Sequence, residues 1–269
     1  MSRKIFIHAN ETEASKRTVK KLRSKLDNVG FTVIDKFCES AELMVCIGGD
    51  GTFLEAIHKY DFPQIPIIGI NTGHLGFFQE IMPDKLDDFI FNYTQGKFSI
   101  QTLSTVKAAV VSDGVLTEHV GLNEVVITGG TNHAIHLNMS IDGSFIERFS
   151  GDGLLISSPA GSTAYNYSLG GSIVDPRLKL LQVTPIAPMN TTAYRSFTSS
   201  ILLPFDLSLG VKPDYNNCEH TWPISVVCDG YNTTYDTIDS IEVTFSETKV
   251  NLMRFEGYDF WTKVKSKFL

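Results

Sequence analysis

The sequence predicts an N-terminal α/β domain with a parallel sheet, followed by a β-rich, antiparallel and sandwich-like C-terminal domain. In the first part of the chain, apolar runs alternate with amphipathic helical segments, which is typical of a parallel sheet covered by helices. After about residue 99 the segments become short and β-branched, and Asp-Gly turns separate them, which favours antiparallel strands in packed sheets. This change of period predicts a domain boundary at about residue 100.

The spacing of apolar residues predicts the helices and strands of the first domain. The helix over 11–29 places Val19, Leu22 and Leu26 on one face. The predicted strands cover 4–8, 31–34, 43–47 and 65–70, and the predicted helices cover 11–29, 52–60 and 86–93. Ligands of parallel sheets bind beyond the carboxyl ends of the strands, so we expect a ligand site at 48–52 and 71–78.

The second half reads as strands joined by turns, and the chain ends in a further helix. The predicted strands cover 106–111, 124–128, 135–141, 154–157, 201–204, 224–227, 240–245 and 249–255. Turns such as Asp142-Gly143 and Asp229-Gly230 separate them. The final segment, 258–268, carries aromatic and apolar side chains along one face and is therefore predicted to be helical.

Composition and charge disfavour several classes of function. A net charge of −7 over 269 residues argues against a general nucleic-acid binder, which needs a basic surface. The histidines and cysteines lack the spacing of a metal site, so no protein metal ligands are predicted. The first ten residues are too short and polar for a signal peptide, and no apolar run approaches the ~20 residues of a membrane span. We expect a cytoplasmic protein without a membrane or nucleic-acid partner.

The most informative segment is the run Gly48-Gly49-Asp50-Gly51-Thr52, which follows an apolar strand and opens a helix. Glycines let backbone N–H groups approach an anion, and a helix start favours negative charge, so the turn suits phosphate. Asp50 repels phosphate, which indicates proton transfer or metal binding; a helix-capping aspartate is the alternative. Neither a Gly-x-x-x-x-Gly-Lys-Ser/Thr loop nor a Gly-x-Gly-x-x-Gly after the first strand is present.

Three further segments are candidate ligand surfaces. The segments 150–153 and 157–165 are dense in small and hydroxyl residues, which suits a closely approaching ligand but also an ordinary loop. Asn123-Glu124 enters an apolar strand, where the pair either receives ribose hydroxyls or simply starts the strand. His74, in the loop 71–78, is expected to lie beside Asp50.

Together these segments resemble the NAD kinases. The turn 48–52 looks like the Gly-Gly-Asp-Gly-Thr motif of that family, 71–77 like its Asn-Thr-Gly-x-Leu-Gly-Phe loop, and Asn123-Glu124 like its Asn-Glu pair. The stretch 151–171 looks like the long second motif. Four segments in the family's order cover both halves of the chain, which is more specific than the turn alone. Diacylglycerol kinases, sphingosine kinases and phosphofructokinases share similar turns.

The resemblance implies phosphorylation of the adenosine ribose 2′-hydroxyl of NAD, with ATP or polyphosphate as donor and Mg²⁺ or another divalent metal, to give NADP. It implies a homotetramer or homodimer, a first domain of 1–100 completed by a returning segment 256–269, and an NAD-binding domain of 101–255. Asp50 would be the catalytic base, and Gly48, Gly49, Gly51 and Thr52 would hold the ATP phosphates. The predicted NAD-binding residues are Gly51, His74, Phe77, Asn123, Glu124, Arg148, Asp152, Thr163, Ala164, Tyr165, Ser168 and Ala187. Of these, His74 and Arg148 are included because of their positions in the sequence, and the others are implied by the resemblance. Some of them would act across a subunit interface.

Two positions depart from the family pattern. Ser150 stands where many relatives have a basic residue, and Ala160 stands where they have a hydroxyl residue. If both positions contact ligand, these changes weaken nucleotide binding by roughly one to a few kcal/mol. Arg148 lies two residues before Ser150, on the same strand face, and is a candidate substitute. Two alternatives stay open, namely a lipid or sugar kinase that shares the turn and a catalytically silent NAD-binding regulator.

Overall fold

The computed structural model describes residues 3–74, 76–130, 133–192, 195–215 and 222–268. Leu75, within the predicted loop 71–78, lies outside the described residues. The chain divides into two compact units. The first comprises Met1–Thr102 and Lys249–Leu269, and the second comprises Leu103–Thr248.

The first unit is a parallel sheet with helices, as the sequence predicts. Its elements are β1 (Arg3–Ala9), α1 (Glu13–Asn28), β2 (Phe31–Ile34), β3 (Leu43–Gly48), α2 (Asp50–Lys59), β4 (Ile67–Asn71), β5 (Gln79–Ile81) and α3 (Leu86–Thr94). The parallel strands follow the order β2-β1-β3-β4, with β5 also paired to β4. Thr12 caps α1 by accepting the N–H of Ser15 at 3.3 Å, and the buried face of α1 carries Leu22 and Leu26.

The chain returns to the first unit at its C-terminal end. The last strand, β17 (Ser240–Phe255), pairs in parallel with β4, where Leu252 lies opposite Ile67. The closing helix α5 (Phe260–Phe268) follows and belongs to the same unit, which confirms the predicted returning helix. Phe260 and Val264 are its buried residues.

The second unit consists of antiparallel strands in two layers. Its strands are β6 (Phe98–Ser112, which begins in the first unit), β7 (Val115–Gly121), β8 (Glu124–Gly129), β9 (Ile135–Ile141), β10 (Ser144–Gly151), β11 (Gly153–Ser157), β12 (Leu180–Ile186), β13 (Ile201–Pro204), β14 (Leu209–Pro213), β15 (Ile224–Cys228) and β16 (Tyr231–Tyr235). One layer has the order β13-β12-β11-β8-β15-β16. The strands β9, β10 and β14 form antiparallel pairs in the other. Ile127 and Ile156 of the first layer and Leu137 and Val211 of the second share one buried core, so the sandwich-like prediction is confirmed.

Some elements differ from the prediction. The segments 240–245 and 249–255 form one continuous strand, β17, in which Ser246 Oγ accepts the N–H of Thr248 at 3.1 Å. Strands β5, β7, β10, β12, β14 and β16 were not predicted. Of these, β7 and β16 are largely exposed. Their backbone N–H and C=O groups form hydrogen bonds with a neighbouring strand. The local sequence pattern does not reveal this pairing. No helix within the described residues is long and apolar enough to cross a membrane.

Truncating the core of the first unit tests the fold. Leu26 is fully buried on α1, so Leu26→Ala should lower the free energy of unfolding by about 2–5 kcal/mol through lost apolar burial and the resulting cavity. Urea denaturation monitored by circular dichroism measures the change. The exposed Lys20→Ala on the same helix is the control and should change stability by no more than about 0.5 kcal/mol. Equal effects of the two substitutions would contradict the placement of α1.

Candidate active site

The turn at Asp50 joins β3 to α2, and its carboxylate contacts the loop that follows β4. Gly49 is the N-cap position and Asp50 is the first residue of the helix. Asp50 Oδ2 accepts the backbone N–H of Phe77, and Oδ1 accepts that of Phe78, both at 3.0 Å. The carboxylate therefore joins two segments instead of capping its own helix.

The glycines around this carboxylate have two different roles. A Cβ on Gly76 would overlap Asp50 Oδ1, and a Cβ on Gly48 would overlap the Thr52 side chain, so both are required by packing within the protein. A Cβ on Gly49 or Gly51 would meet nothing within 4 Å. The Cβ side of these two residues therefore faces open space, which leaves room for an anion beside the turn.

The other sequence-predicted residues of the first unit lie at different depths. Thr52 is buried, and its Oγ1 accepts a hydrogen bond from Asn10 Nδ2 at 3.2 Å. His74 is exposed in the loop after β4. Phe77 is buried, and its ring centroid lies 5.9 Å from that of Phe260 and 5.8 Å from that of Phe268. The Phe77 ring thus packs on α5, and its backbone N–H binds Asp50.

Helix α5 also brings two lysines to this site. Lys263 Nζ donates to the carbonyl oxygen of Phe77 at 3.2 Å and to that of Gln79. Burial, with the nearby Arg254 charge, lowers the pKa of Lys263 to about 8. Lys267 Nζ lies 3.8 Å from Asp50 Oδ2. Neither lysine was predicted as a site residue, although their four-residue spacing in a predicted helix places them on one face.

A buried ion pair supports the same loop. Arg254 is only 5% exposed and donates from Nη1 to Glu80 Oε2 at 3.1 Å and from Nε to Gln101 Oε1 at 2.8 Å. Its Nη2 donates to the carbonyl of Phe77 at 3.3 Å and to the hydroxyl of Tyr258 at 3.0 Å. A buried charge needs such partners to offset its desolvation. Arg254 therefore fixes the loop whose N–H groups hold Asp50.

In the second unit, Asn123 and Glu124 lie at the start of β8 and are both buried. Their backbone is held by the carboxylate of Asp229, which accepts N–H groups from Leu122 at 2.6 Å, Asn123 at 2.7 Å and Glu124 at 3.2 Å. The sequence of Asp229-Gly230 predicts only a turn. Asp229 is thus a positioning residue for the Asn-Glu pair.

Glu124 has an unusual environment. Burial, followed by the negative charge of Asp229, raises the pKa of Glu124 to about 8. Its Oε2 and the Oδ1 of Asn123 are buried without a hydrogen-bond partner among the described residues. Buried polar atoms of this kind normally bind a ligand or water. The pair is therefore suited to hydroxyl groups.

The loop after β11 packs directly on this pair. The N–H of Ser158 donates to the carbonyl of Asn123 at 2.9 Å, and a Cβ on Gly161 would overlap the same carbonyl. A single 3-10 turn, Ala160–Thr163, leads into the short helix α4 (Tyr165–Ser168). Of the residues predicted here, Thr163 is buried, Ala164 is half-buried, and Tyr165 and Ser168 are exposed.

Asp152 and Ala187 lie at the other end of the same strands. β11 runs antiparallel to β8, with Ser157 opposite Glu124 and Gly153 opposite Thr128. Asp152 therefore lies roughly 17 Å from the Glu124 end, at about 3.3 Å per strand residue. Its N–H donates to the carbonyl of Ile186 at 3.0 Å, and the next residue, Ala187, has a left-handed φ of 45°. The predicted residues of the second unit thus form two groups.

Comparison with known proteins gives matches in both halves of the chain. The model of the ATP-NAD kinase N-terminal domain matches residues 3–98, and that of the ATP-NAD kinase C-terminal domain matches residues 122–255. The NAD kinase of Finegoldia magna is 38% identical over 270 residues, which cover 100% of this chain and 98% of that protein. This chain belongs to the NAD kinase family. The NAD kinase of Latilactobacillus sakei is 32% identical over 270 residues, which cover 99% of this chain and 97% of that protein.

Solved NAD kinase structures share the fold. The yeast NADH kinase complexed with NADH superposes with a TM-score of 0.85 at 18% identity, covering 98% of this chain and 86% of that chain. The Archaeoglobus fulgidus NAD kinase in complex with ATP gives a TM-score of 0.75 at 23% identity, covering 99% of each chain. The two-part architecture described above is therefore the NAD kinase fold.

The two departures from the NAD kinase pattern lie in different surroundings. Ser150 is fully buried, and its Oγ lies 2.7 Å from His136 Nδ1. Arg148 is on the same face of β10, and its Nε lies 2.9 Å from Asp214 Oδ2. The positive charge of Arg148 is thus paired with the carboxylate of Asp214 within the second unit. Ala160 is half-buried at the start of the 3-10 turn.

A matched pair of glycine substitutions tests the position of Asp50. In Gly76→Ala the new Cβ overlaps Asp50 Oδ1, so the carboxylate has to move and NADP formation should fall by about 100-fold. Gly73→Ala in the same loop meets nothing within 4 Å and should keep most of the activity. Initial rates of NADP formation from NAD and ATP measure both variants. Similar rates for both would contradict a role for the Asp50 position.

Glu124 should make stability depend on pH. Between the ordinary pKa of 4.5 and the raised value of about 8, the folded protein binds more protons at Glu124 than the unfolded chain does. The free energy of unfolding therefore falls as pH rises through this range. Glu124→Gln removes this loss, so its melting temperature relative to the parent should increase from about pH 5 to about pH 9.

Melting temperatures measured by scanning calorimetry at both pH values give the comparison. Glu242→Gln, on an exposed position of β17, is the control and should track the parent at both pH values. A melting-temperature difference between Glu124→Gln and the parent that does not change with pH would show that Glu124 is already ionised at neutral pH.

Proposed function

We propose that this chain is an NAD kinase that transfers the terminal phosphoryl group of ATP to the 2′-hydroxyl of the adenosine ribose of NAD, giving NADP. The observation that carries the proposal is the Asp50 carboxylate, which two backbone N–H groups hold at a turn where Gly49 and Gly51 face open space. A base and a phosphate cradle are the two parts that this reaction needs. Family membership supports NAD as the acceptor.

Asp50 is the proposed general base. It accepts the proton of the 2′-hydroxyl while that oxygen bonds to the terminal phosphorus of ATP. The bond from this phosphorus to the bridging oxygen breaks, and ADP leaves with the electron pair. Such transition states are loose, so positioning and electrostatics supply most of the rate acceleration. The N–H groups of Gly48, Gly49, Gly51 and Thr52 are proposed to offset the phosphate charge.

The donor set at the turn fits a divalent metal that is bound mainly by phosphates. Among the described residues there is no group of three or more His, Cys, Asp or Glu side chains that could hold a metal ion. Mg²⁺ keeps several waters and is often bound largely by substrate phosphates, and the proposal assigns it no protein carboxylate because Asp50 is the proposed base. When bound, Mg²⁺ would neutralise part of the phosphate charge. This is the metal role that the proposal includes.

The second unit is proposed to bind NAD. Asn123 and Glu124 present buried oxygens without a partner among the described residues, which suits the ribose hydroxyls. Thr163, Ala164, Tyr165 and Ser168 follow in the loop that packs on this pair and are proposed to line the same site, with 101–255 as the NAD-binding domain. On the first unit, His74 and Phe77 remain proposed contacts.

An oligomer would explain the second group of predicted residues. Asp152 and Ala187 lie at the end of β11 and β12 that is opposite to Asn123 and Glu124. We propose that, together with Arg148, they contact the NAD bound to a neighbouring copy in a homotetramer or homodimer. The cytoplasmic location stays a prediction, as does the choice between ATP and polyphosphate as donor.

The other two functions are less well supported. A lipid or sugar kinase would share the turn, but NAD kinases match along the whole chain. A silent regulator is disfavoured because the Asp50 carboxylate and the open glycine backbone are both in place.

The base assignment predicts a specific loss. Asp50→Asn keeps the size of the side chain but removes its basicity, so NADP formation should fall by about 10²–10⁴-fold while the protein stays folded. Coupled detection of NADP from NAD, ATP and Mg²⁺ measures the rate, and circular dichroism confirms the fold. Asp27→Asn, on an exposed position of α1, is the control. Normal NADP formation by Asp50→Asn would exclude Asp50 as the base.

A further inference from the structure

The turn proposed to hold the donor phosphates has no cation of its own. Between Gly48 and Thr52 the one charged side chain is Asp50, which is negative. ATP brings several negative charges to this carboxylate, and backbone N–H groups offset them only in part. Lysine and arginine form strong, charge-assisted contacts with phosphates in many kinases. A protein cation for this site therefore has to come from elsewhere in the chain.

Lys267 of α5 is such a cation. Its Nζ lies 3.8 Å from Asp50 Oδ2 and 4.8 Å from the centre of the Phe77 ring, and its side chain is 34% exposed. A separation of 3.8 Å is an ion pair but exceeds the length of a hydrogen bond. The ammonium group is thus close to the reacting carboxylate and accessible to an arriving anion.

Two other cations act electrostatically on Asp50, but their donors are engaged. Arg254 is buried and donates to Glu80, Gln101, Tyr258 and the carbonyl of Phe77. Lys263 is largely buried, and its ammonium group donates to two backbone carbonyls. Both groups hold the loop in place, whereas Lys267 is the more exposed cation beside the turn.

The packing of α5 fixes where Lys267 is presented. Phe260 and Val264 bury one face of the helix, and Phe260 and Phe268 contact the Phe77 ring. Lys263 anchors the helix one turn before Lys267. A cation on an anchored helix loses less conformational freedom on binding than one on a mobile tail. The helix therefore delivers Lys267 to a defined position beside Asp50.

We propose that Lys267 is a phosphate-binding residue of the donor site, pairing with Asp50 in the free protein and contacting the terminal phosphates of ATP once ATP binds. Asp50 still takes the proton of the acceptor hydroxyl, and Lys267 takes no part in this proton transfer. The proposal rests on the proposed function, because it assumes that this turn binds a phosphoryl donor.

Steady-state kinetics test this assignment. Lys267→Met should raise KM for ATP by about 10- to 100-fold, the expected effect of losing one charged contact, while KM for NAD changes less than about twofold. Lys267→Arg keeps the charge and should restore KM for ATP to within about threefold of the parent. Lys265→Met removes an exposed lysine from the same helix and should behave like the parent.

A second ligand separates a phosphate contact from a general effect. Inorganic tripolyphosphate has phosphates but no adenine, so its inhibition constant against ATP should rise in Lys267→Met by the same factor as KM for ATP. Melting temperatures verify that all variants are folded. Equal KM for ATP in Lys267→Met and Lys265→Met would overturn the proposal, as would unchanged inhibition by tripolyphosphate. If Lys267→Met does not fold, a folded Lys267→Arg with a KM for ATP raised more than about tenfold would overturn it.

Failure of the proposed function gives a different result from failure of the Lys267 assignment. In that case the parent forms no NADP from NAD and ATP. Calorimetric titration of ATP into the parent, Lys267→Met and Lys265→Met then measures the phosphate contact alone. Weaker ATP binding confined to Lys267→Met supports the role of Lys267, and equal binding by all three proteins refutes it.

Discussion

The interaction on which the active-site region of the first unit depends is the pair of hydrogen bonds from the N–H groups of Phe77 and Phe78 to the Asp50 carboxylate. It joins the end of β3 to the loop after β4, and it is possible only because Gly76 lacks a side chain. Hydrogen bonds to an ionised acceptor are stronger than those between neutral groups. The same carboxylate is therefore both a structural link and the group proposed to take up a proton.

The second unit also contains an aspartate whose carboxylate accepts backbone N–H groups. Asp229 accepts three successive N–H groups and so fixes the backbone of Asn123 and Glu124. Its negative charge also opposes ionisation of Glu124, whose burial already raises the pKa. One aspartate thus orders the chain and, after burial, raises the pKa of a neighbouring carboxyl, whose protonated form is a donor as well as an acceptor. A site that must recognise hydroxyl groups benefits from both.

How much of this was predictable depends on whether a feature is local. The strands 31–34, 135–141 and 201–204 were predicted with the bounds that the structure shows, because apolar patterning is read along a few residues. The glycine turn 48–52 was predicted for the same reason, because its motif lies within a few consecutive residues. Asp229 was not recognised, because it contacts Leu122 across 107 residues and resembles any Asp-Gly turn. The register of distant segments comes from tertiary packing, which a single sequence does not display.

The position of Lys267 shows why such long-range contacts matter in this chain. A phosphate loop that includes its own lysine fixes cation and backbone donors in one local segment. Here the glycine turn carries the carboxylate, and the cation beside it is more than 200 residues away on α5. The apolar contacts of Phe77 with Phe260 and Phe268 hold that helix in place. Electrostatics at the turn therefore depend on the hydrophobic packing of the C-terminal helix, so a change in that packing alters the charge beside Asp50 without any substitution in the turn.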